Sequence, residues 1–485
     1  MHSSEHFRPR LGLFDTTAIV VGSMIGSGIF FAPSIMAQWV QAPGILLGLW
    51  AFAGLFTLLG AISTAELAAM MPHAGGQYVF LTEAFGRFWG FLYGWTLFLV
   101  IQTGFNAAVA IAFAKYLGVF VPALSEANVL FSAPIGEWIA GVWPQAAGPA
   151  YSLEINSAQT VACVIIAILT GVNMLGVREG ATVQNIFTVL KVAALGGLIV
   201  CGLPQIGGHW GNFVPLFDLK PGVLAAQTGF TAGLAVALSK ALFAFDGWNT
   251  GTFVAEEVRQ PQRTLPRALL LGTFVVTLIY VLTNVAYLAN LPLNEMAVVP
   301  ENRVAEPVAV ALFGPIGSVL VVIAILVSTF GCLNGLILGG ARVCYAMARQ
   351  RLFFRSCASL RPHSRAPVTA LAYQGAWSCV LAISGSYSAL LTYTTFASVM
   401  FGALTVAGVY RLRATHPDRE RPYRCWGYPF TPALYLAIAL PFLVYVIVGD
   451  PQATLIGLLL MATGIPVYYA WHGRRPTASP DEHGR

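Results

Sequence analysis

Charge is the property that this sequence has least of: only 9% of its 485 residues are charged, whereas 57% are hydrophobic. A chain with so little polar surface cannot solvate a globule of this size in water. Apolar runs of roughly 18 or more residues recur along nearly the whole length, and each is long enough to cross about 30 Å of hydrocarbon as a helix. The composition therefore predicts a single all-α, multi-span membrane domain over residues 1–485.

Three further absences exclude other classes of protein. No histidine lies inside an apolar run, so no pair is placed to ligate a haem, and we expect neither a cofactor nor a metal. No Gly-Lys pair exists, which excludes a phosphate-binding GxxxxGK loop and leaves ATP hydrolysis only to a separate subunit. The basic residues form no stripe interleaved with aromatics, so nucleic acid is not an expected partner. A transporter or a channel fits these features better than an enzyme does.

Gly, Pro and charged residues divide the apolar runs into twelve predicted membrane helices, called segments 1 to 12. The first five lie near 12–40, 43–70, 86–118, 158–176 and 184–203, and the other seven near 228–255, 266–291, 307–348, 367–384, 387–410, 430–448 and 452–471. We place both termini in the cytoplasm of a plasma or bacterial inner membrane, because 21 of the 26 Lys and Arg then lie inside. The long outer loop near 119–157 is rich in Pro, Ala and Gly, and we expect it to have irregular structure that covers the outer side of the bundle.

Two helices are interrupted near mid-membrane at matching positions. Segment 1 contains the run from Gly22 to Gly28, GSMIGSG, and segment 6 contains the run from Phe243 to Asn249, FAFDGWN. Interrupted helices that open two successive five-helix blocks indicate an inverted-repeat transporter with its site at the bilayer midplane. We therefore predict five-helix repeats over 12–203 and 228–410 and two added helices over 430–471, although no residue-level repeat is visible.

An unwound helix leaves backbone groups that need partners, because each unsatisfied N–H or C=O in hydrocarbon costs several kcal/mol. The N–H groups of Gly26, Ser27 and Gly28 begin a new helix and suit a carboxylate, while carbonyls that end the preceding half-helices suit an ammonium group. A zwitterion supplies both. The alternative for segment 1 is that Gly22 and Gly26 form a GxxxG packing motif.

Ionisable residues inside the membrane provide the next candidates. Lys191 lies in an apolar run, where a central lysine costs roughly 2.5 to 3.5 kcal/mol on insertion scales. We expect it to take the place of a sodium ion, bridging segment 1 carbonyls to segment 8 near Ser328 and Thr329, and to permit coupling to protons; the alternative is snorkelling to the headgroups. Asp246 either attracts a cationic substrate or satisfies the unwound backbone. Phe243, beside the segment 6 break, is placed to close over a substrate as a gate.

Five ordered motifs carry a resemblance to a known family. They are VGSMIGSGIF at 21–30, AELAAMMPHAGGQYVFLTEAFG at 65–86, FAFDGWNTGTFVAEEVRQPQRTLPRAL at 243–269, STFGCLNG at 328–335 and RLRATHPDRERPYR at 411–424. Over roughly residues 10–430 the sequence resembles the amino acid, polyamine and organocation superfamily, and within it the L-type amino acid transporters and their bacterial counterparts.

The resemblance implies a five-plus-five inverted repeat that transports L-amino acids, by exchange or proton coupling and without sodium. Backbone amides of Ser27 and Gly28 would hold the substrate carboxylate, and Lys191 matches the fifth-helix lysine of the sodium-independent members. Carbonyls of Met24, Phe243 and Asp246 would hold the substrate amine. Together with the residues of the two breaks, the predicted substrate site comprises Met24, Gly26, Ser27, Gly28, Phe243, Ala244, Asp246 and Asn249.

Partners and selectivity are less determined by the sequence. The animal L-type transporters are linked to a heavy chain through a cysteine between helices 3 and 4, and the 119–157 loop has none, so we expect no disulfide-linked partner. A neutral amino acid is the expected substrate. Asp246 keeps a cationic amino acid or a polyamine as the alternative, and a channel is the other alternative, since broken helices also line selectivity filters. Gln102, Phe105, Asn249 and Asn334 are candidates for contacts with the substrate side chain.

Overall fold

The computed structural model describes residues 7–134, 152–217, 230–362, 364–384, 387–449 and 451–472. Within them, ten helices are long and apolar enough to cross a membrane, and two shorter apolar helices, Phe230–Phe245 and Val368–Ser384, lie at the positions predicted for segments 6 and 9. The predicted all-α, multi-span class is confirmed, and segments 1 and 6 are both interrupted as expected.

The helix bounds follow the predicted segments closely. Segments 1 to 5 are Leu13–Met24 with Gly28–Ala37, Pro43–Met70, Arg87–Phe120 with a π turn at Leu97–Ile101, Ser157–Leu175 and Val177–Gly202. Segments 6 to 12 are Phe230–Phe245 with Thr250–Phe253, Pro261–Asn290, Ile316–Arg349, Val368–Ser384, Tyr387–Thr415, Phe430–Gly449, and Pro451–Ala462 with Gly464–His472. Short helices lie outside the segments at Gln77–Phe85, Leu293–Ala297 and Ala305–Phe313.

Three local expectations were wrong. Segment 5 begins at Val177 rather than near 184, because the charged residues that follow Gly176 are helical although they are not apolar. The run predicted as one helix over 307–348 is divided by Gly314, which has a φ of +68°, a conformation that favours glycine. The loop near 119–157 is not irregular throughout, since strands Val129–Pro134 and Ser152–Asn156 pair antiparallel; the rest of that loop, 135–151, lies outside the described residues.

The pairing of segments has an internal symmetry. Segment 2 packs against segment 7, segment 3 against segment 8, and segment 4 against segment 9. The packing of segments 5 and 8 corresponds to that of segments 10 and 3, and the packing of segments 1 and 7 to that of segments 6 and 2. Exchanging each segment with the one five places later therefore leaves these pairs unchanged. This symmetry is what two equivalent five-helix blocks would produce, and the repeats over 12–203 and 228–410 stay predictions.

Buried ion pairs hold together the side of the bundle on which segment 1 begins, called here the N face. Arg342 and Glu257 are 1% and 2% exposed and lie 2.9 Å apart, and the carbonyl of Glu257 accepts hydrogen bonds from the N–H groups of Arg10 and Leu11. The chain before segment 1 is thereby fixed to the chain between segments 6 and 7. Which side of the membrane the N face meets stays a prediction.

Candidate functional site

The segment 1 break is a three-residue bend, residues 25–27, between two half-helices. The first half ends at Met24, Ile25 has φ −75° and ψ 93°, and the second half begins at Gly28. Among the described residues, the N–H groups of Gly26 and Gly28 have no hydrogen-bond acceptor. Because the first N–H groups of a helix carry partial positive charge, this end of the break is suited to an anion.

The glycines of segment 1 are also packing residues. A Cβ on Gly22 would lie 1.9 Å from an atom of segment 5, one on Gly26 would lie 2.6 Å from segment 8, and one on Gly28 would lie 2.4 Å from Cβ of Ala244. Each glycine therefore allows a different segment to approach closely: segment 5 at Gly22, segment 8 at Gly26 and segment 6 at Gly28. Gly22 and Gly26 do not form one GxxxG face against a single helix, as the packing alternative requires.

Lys191 reaches the segment 1 break from segment 5. Its side chain is 1% exposed, and Nζ donates to the carbonyls of Gly22 at 2.8 Å, Ile25 at 2.8 Å and Ser328 at 3.0 Å. The Ser328 hydroxyl donates to the same Ile25 carbonyl at 3.2 Å. The ammonium group uses its three donors on three carbonyls in the protein interior, so it does not snorkel to the headgroups.

Tyr280 of segment 7 links the two breaks and was missed from the sequence. Its hydroxyl lies 2.8 Å from the carbonyl oxygen of Met24 and 3.0 Å from that of Ala244. A phenol has one proton, so it can donate to only one of these carbonyls at a time. The available signal was a tyrosine inside an apolar helix, because a buried tyrosine hydroxyl usually finds a polar partner.

The segment 6 break differs in conformation. The helix ends at Phe245, the chain turns over the next four residues, and a short helix resumes at Thr250. Gly247 has a φ of +87°, and a Cβ there would lie 3.0 Å from Ser23 of segment 1. Glycine is therefore required at this position both by its backbone conformation and by the approach of the other broken helix.

Two polar side chains of the segment 6 break form hydrogen bonds with side chains elsewhere in the bundle. Asp246 accepts a hydrogen bond from the Ser398 hydroxyl of segment 10 at 3.1 Å. Asn249 donates to the Gln77 side-chain oxygen at 2.7 Å. Gln77 was also missed, because it begins the short helix between segments 2 and 3 and the sequence gives no sign that this helix reaches the core.

Two small cavities lie beside this break. Both are lined by Gln77, Asp246, Asn249 and Ser398, and their volumes are about 30 and 10 Å³. A water molecule needs roughly 10–15 Å³ on this measure, and ligand pockets usually measure about 300–1,000 Å³. These cavities are water-sized, so a larger solute requires the surrounding segments to separate.

Phe243 is buried and does not stand open over a pocket. Its ring stacks on Phe105 of segment 3, with centroids 4.8 Å apart and an angle of 25° between the planes. On the same segment, Gln102 donates to the carbonyl of Leu336 at 2.8 Å. Asn334 instead bonds Asn173, the carbonyl of Gly180 and the side chain of Gln184 on segment 5.

The structure thus brings most predicted site residues into one region. Segment 1 meets segment 6 at Gly28 and Ala244, and it meets segments 5 and 8 through Lys191 and Ser328. Ser27 is fully buried, and its carbonyl accepts the N–H of Phe30. Among the described residues, no group of three or more His, Cys, Asp or Glu could hold a metal ion.

The chain is similar over almost its whole length to known membrane proteins. The family model described as "Amino acid permease" matches residues 11–468. The serine/threonine exchanger SteT of Bacillus subtilis (strain 168) is 28% identical, over 98% of this chain and 100% of its own length. Asc-type amino acid transporter 1 of Mus musculus is 29% identical, over 95% of this chain and 81% of its own. Large neutral amino acids transporter small subunit 2 of Homo sapiens is 30% identical, over 95% and 80%.

Proposed function

Since the chain belongs to the amino acid permease family, we propose that it is a sodium-independent secondary transporter that moves neutral L-amino acids across a plasma or bacterial inner membrane. It works by alternating access, as an exchanger or a proton symporter, with the N face in the cytoplasm. The observation that carries the proposal is the contact of the Lys191 ammonium group with two carbonyls of the segment 1 break and one of segment 8.

Lys191 makes a sodium ion unnecessary. Carbonyl oxygens at an unwound helix are the ligands that a Na⁺ ion takes in transporters with broken helices. Here a covalently attached ammonium group fills that position and brings the same unit of charge. A second cation among the same oxygens would meet like-charge repulsion in a medium of low dielectric constant.

The substrate binds through its amino and carboxylate groups. The amides of Gly26, Ser27 and Gly28 hold the carboxylate, which the vacant N–H groups of Gly26 and Gly28 support. Carbonyls of Met24, Phe243 and Asp246 hold the ammonium group. Met24 keeps one lone pair for this, since a carbonyl oxygen has two and Tyr280 takes one.

Selectivity for the side chain resides around the segment 6 break. Neutral substrates are supported by the names of the relatives, which include a serine/threonine exchanger and a large neutral amino acids transporter. Asp246 is engaged by Ser398, which supports a structural role for the carboxylate. A cationic amino acid or polyamine is the second candidate, because Asp246 also lines both cavities.

Access is controlled at both ends of the site. Phe243 is the gate, and its release from the stack with Phe105 would open the space above the segment 6 break. The buried pair of Arg342 and Glu257 closes the N face. The chain works without a disulfide-linked heavy chain, because the 119–157 loop has no cysteine.

Counterflow in proteoliposomes tests the proposal. Vesicles containing the purified protein are preloaded with unlabelled serine, leucine or lysine and diluted into labelled serine or, separately, labelled lysine, with choline replacing sodium. We expect preloading with a neutral amino acid to accelerate uptake of labelled serine, and sodium to have no effect. Ohmic currents without counterflow would indicate a channel, and counterflow of labelled lysine without counterflow of labelled serine would indicate the cationic class.

A further inference from the structure

A second polar pocket lies on the N face, away from both breaks. It encloses about 460 Å³ at the point where the first turns of segments 1 and 5 meet the chain that leads into segment 7. Its lining residues are Arg10, Leu11, Asp15, Arg178, Ala181, Thr182, Asn185 and Arg259. The proposed transport of amino acids assigns no role to this pocket.

The pocket has a positive charge that the described residues do not neutralise. Its three arginines are exposed, and none of them takes part in an ion pair within the described part of the chain. The one carboxylate in the lining, Asp15, offsets only one of these three positive charges. Its Oδ2 accepts the N–H of Gly12 at 2.8 Å, and its Oδ1 accepts the Asn185 amide at 2.7 Å.

Apolar side chains beside the pocket are exposed. Phe14 is adjacent to Asp15 and is 64% exposed, and Ile186 is adjacent to Asn185 and is 53% exposed. Further along segment 5, Val189 and Leu190 are 54% and 49% exposed. On a membrane-spanning helix such side chains contact hydrocarbon, so the polar pocket lies directly above a lipid-facing apolar surface.

We propose that this pocket binds the headgroup phosphate of an anionic phospholipid from the leaflet at the N face. Planar guanidinium groups match phosphate oxygens through paired hydrogen bonds, and basic pockets between transmembrane helices are suited to anionic headgroups. The acyl chains then lie along Ile186, Val189 and Leu190. Free phosphate has the same headgroup chemistry but makes no use of this apolar surface.

The bound lipid joins three parts of the transporter. Arg10 precedes segment 1, Arg178 lies in the first turn of segment 5, and Arg259 precedes segment 7. One phosphate held by all three therefore stabilises the packing of these segments on the N face. Lipid composition would thereby change the rate at which segment 1 moves relative to segment 5.

Thermal unfolding of the purified full-length protein in neutral detergent tests the site. We titrate dioleoylphosphatidylglycerol, dioleoylphosphatidylcholine and inorganic phosphate separately against the parent protein, Arg178→Gln, Arg259→Gln and the double variant. The matched control is Arg355→Gln, since Arg355 is an exposed arginine outside the pocket. We expect only phosphatidylglycerol to raise the unfolding midpoint, and each pocket substitution to weaken its apparent affinity about fivefold, with no change for the control.

Several results would overturn the proposal. An equal rise in the unfolding midpoint with phosphatidylcholine would mean that the pocket does not distinguish headgroups by charge. A rise with inorganic phosphate alone would mean that the pocket binds an anion but not a lipid. An equal loss in Arg355→Gln would mean a diffuse surface charge effect. Arg178→Lys and Arg259→Lys keep the charge but lose the paired hydrogen bonds, so their affinity should lie between that of the parent and that of the Gln variants, which separates loss of the ligand from loss of the fold.

Discussion

The two broken helices satisfy the polar groups of their unwound stretches in different ways. In segment 1, three carbonyls of the break region, those of Gly22, Met24 and Ile25, are capped by side chains from other helices, namely Lys191 and Tyr280. In segment 6, the break is stabilised by its own polar side chains, which bond outward to Gln77 and Ser398. The first break is held by a cation, and the second contains an acid.

This difference separates two tasks. In the proposed site, the segment 1 break presents backbone groups for the amino and carboxylate groups that all amino acids share, and Lys191 bonds two carbonyls of that break. The segment 6 break presents side chains that line cavities, so we expect substitution there to change which substrates the site accepts. Each of the following substitutions acts on one break and leaves the other in place, or acts on the link between them.

Removing the cation from the segment 1 break should have the largest effect. Lys191→Met removes the Nζ donor from the carbonyls of Gly22, Ile25 and Ser328, and Ile25 then keeps only the Ser328 hydroxyl as a side-chain donor. A buried polar group that loses its donor costs about 1–3 kcal/mol. We expect counterflow to fall by at least about 100-fold and the unfolding midpoint to drop. Lys240→Met is the matched control, because Lys240 is 3% exposed but its Nζ donates to Thr392 rather than to a break carbonyl. Uptake by Lys191→Met within about threefold of the parent would contradict the claim that the segment 1 break, unlike the segment 6 break, depends on a cation.

Separating the two breaks should have the next largest effect. A Cβ at Gly28 would lie 2.4 Å from Cβ and 2.6 Å from Cα of Ala244, and the latter is a backbone atom that cannot rotate away. We expect Gly28→Ala to reduce counterflow about tenfold or more, through strain of roughly 1–3 kcal/mol. Adding Ala244→Gly should restore only part of the activity, because the clash with the backbone of residue 244 remains. Gly48→Ala is the control, since a Cβ at that position meets nothing within 4 Å.

The positions of both breaks could be predicted from the sequence, whereas much of what holds them could not. Glycines and Asp246 inside apolar runs indicate unwinding locally, and a lysine in hydrocarbon needs carbonyl partners wherever the helices place them. Tyr280 and Gln77 depend on how segment 7 and a short connecting helix are rotated against the breaks. That rotation is decided by packing between distant parts of the chain, which one sequence does not contain.

Loss of the hydroxyl that links the breaks should have a moderate effect. Tyr280→Phe keeps the ring, which packs edge-on against Trp50 and Phe245, and removes only the donor to Met24 and Ala244. A buried acceptor that loses its donor costs about 1–3 kcal/mol. The hydroxyl bonds only one of the two carbonyls at a time, so we expect a cost in the lower part of this range and a fall in counterflow of roughly five- to thirtyfold, measured as the initial rate against substrate concentration. An unchanged rate would mean that the two breaks move independently of this hydroxyl.

Neutralising the acid of the segment 6 break should have the smallest effect on neutral substrates. Asp246→Asn keeps an oxygen that can accept the hydrogen bond from Ser398, so the backbone should retain its conformation. We expect serine counterflow within about fivefold of the parent, because one neutral hydrogen bond replaces a charged one at a cost of roughly 1 kcal/mol. Ser398→Ala is the companion variant, since it removes the partner and leaves the carboxylate. Loss of serine uptake in Asp246→Asn with activity retained in Ser398→Ala would mean that the carboxylate itself contacts the substrate, and that a cation near the segment 6 break is part of what this transporter recognises.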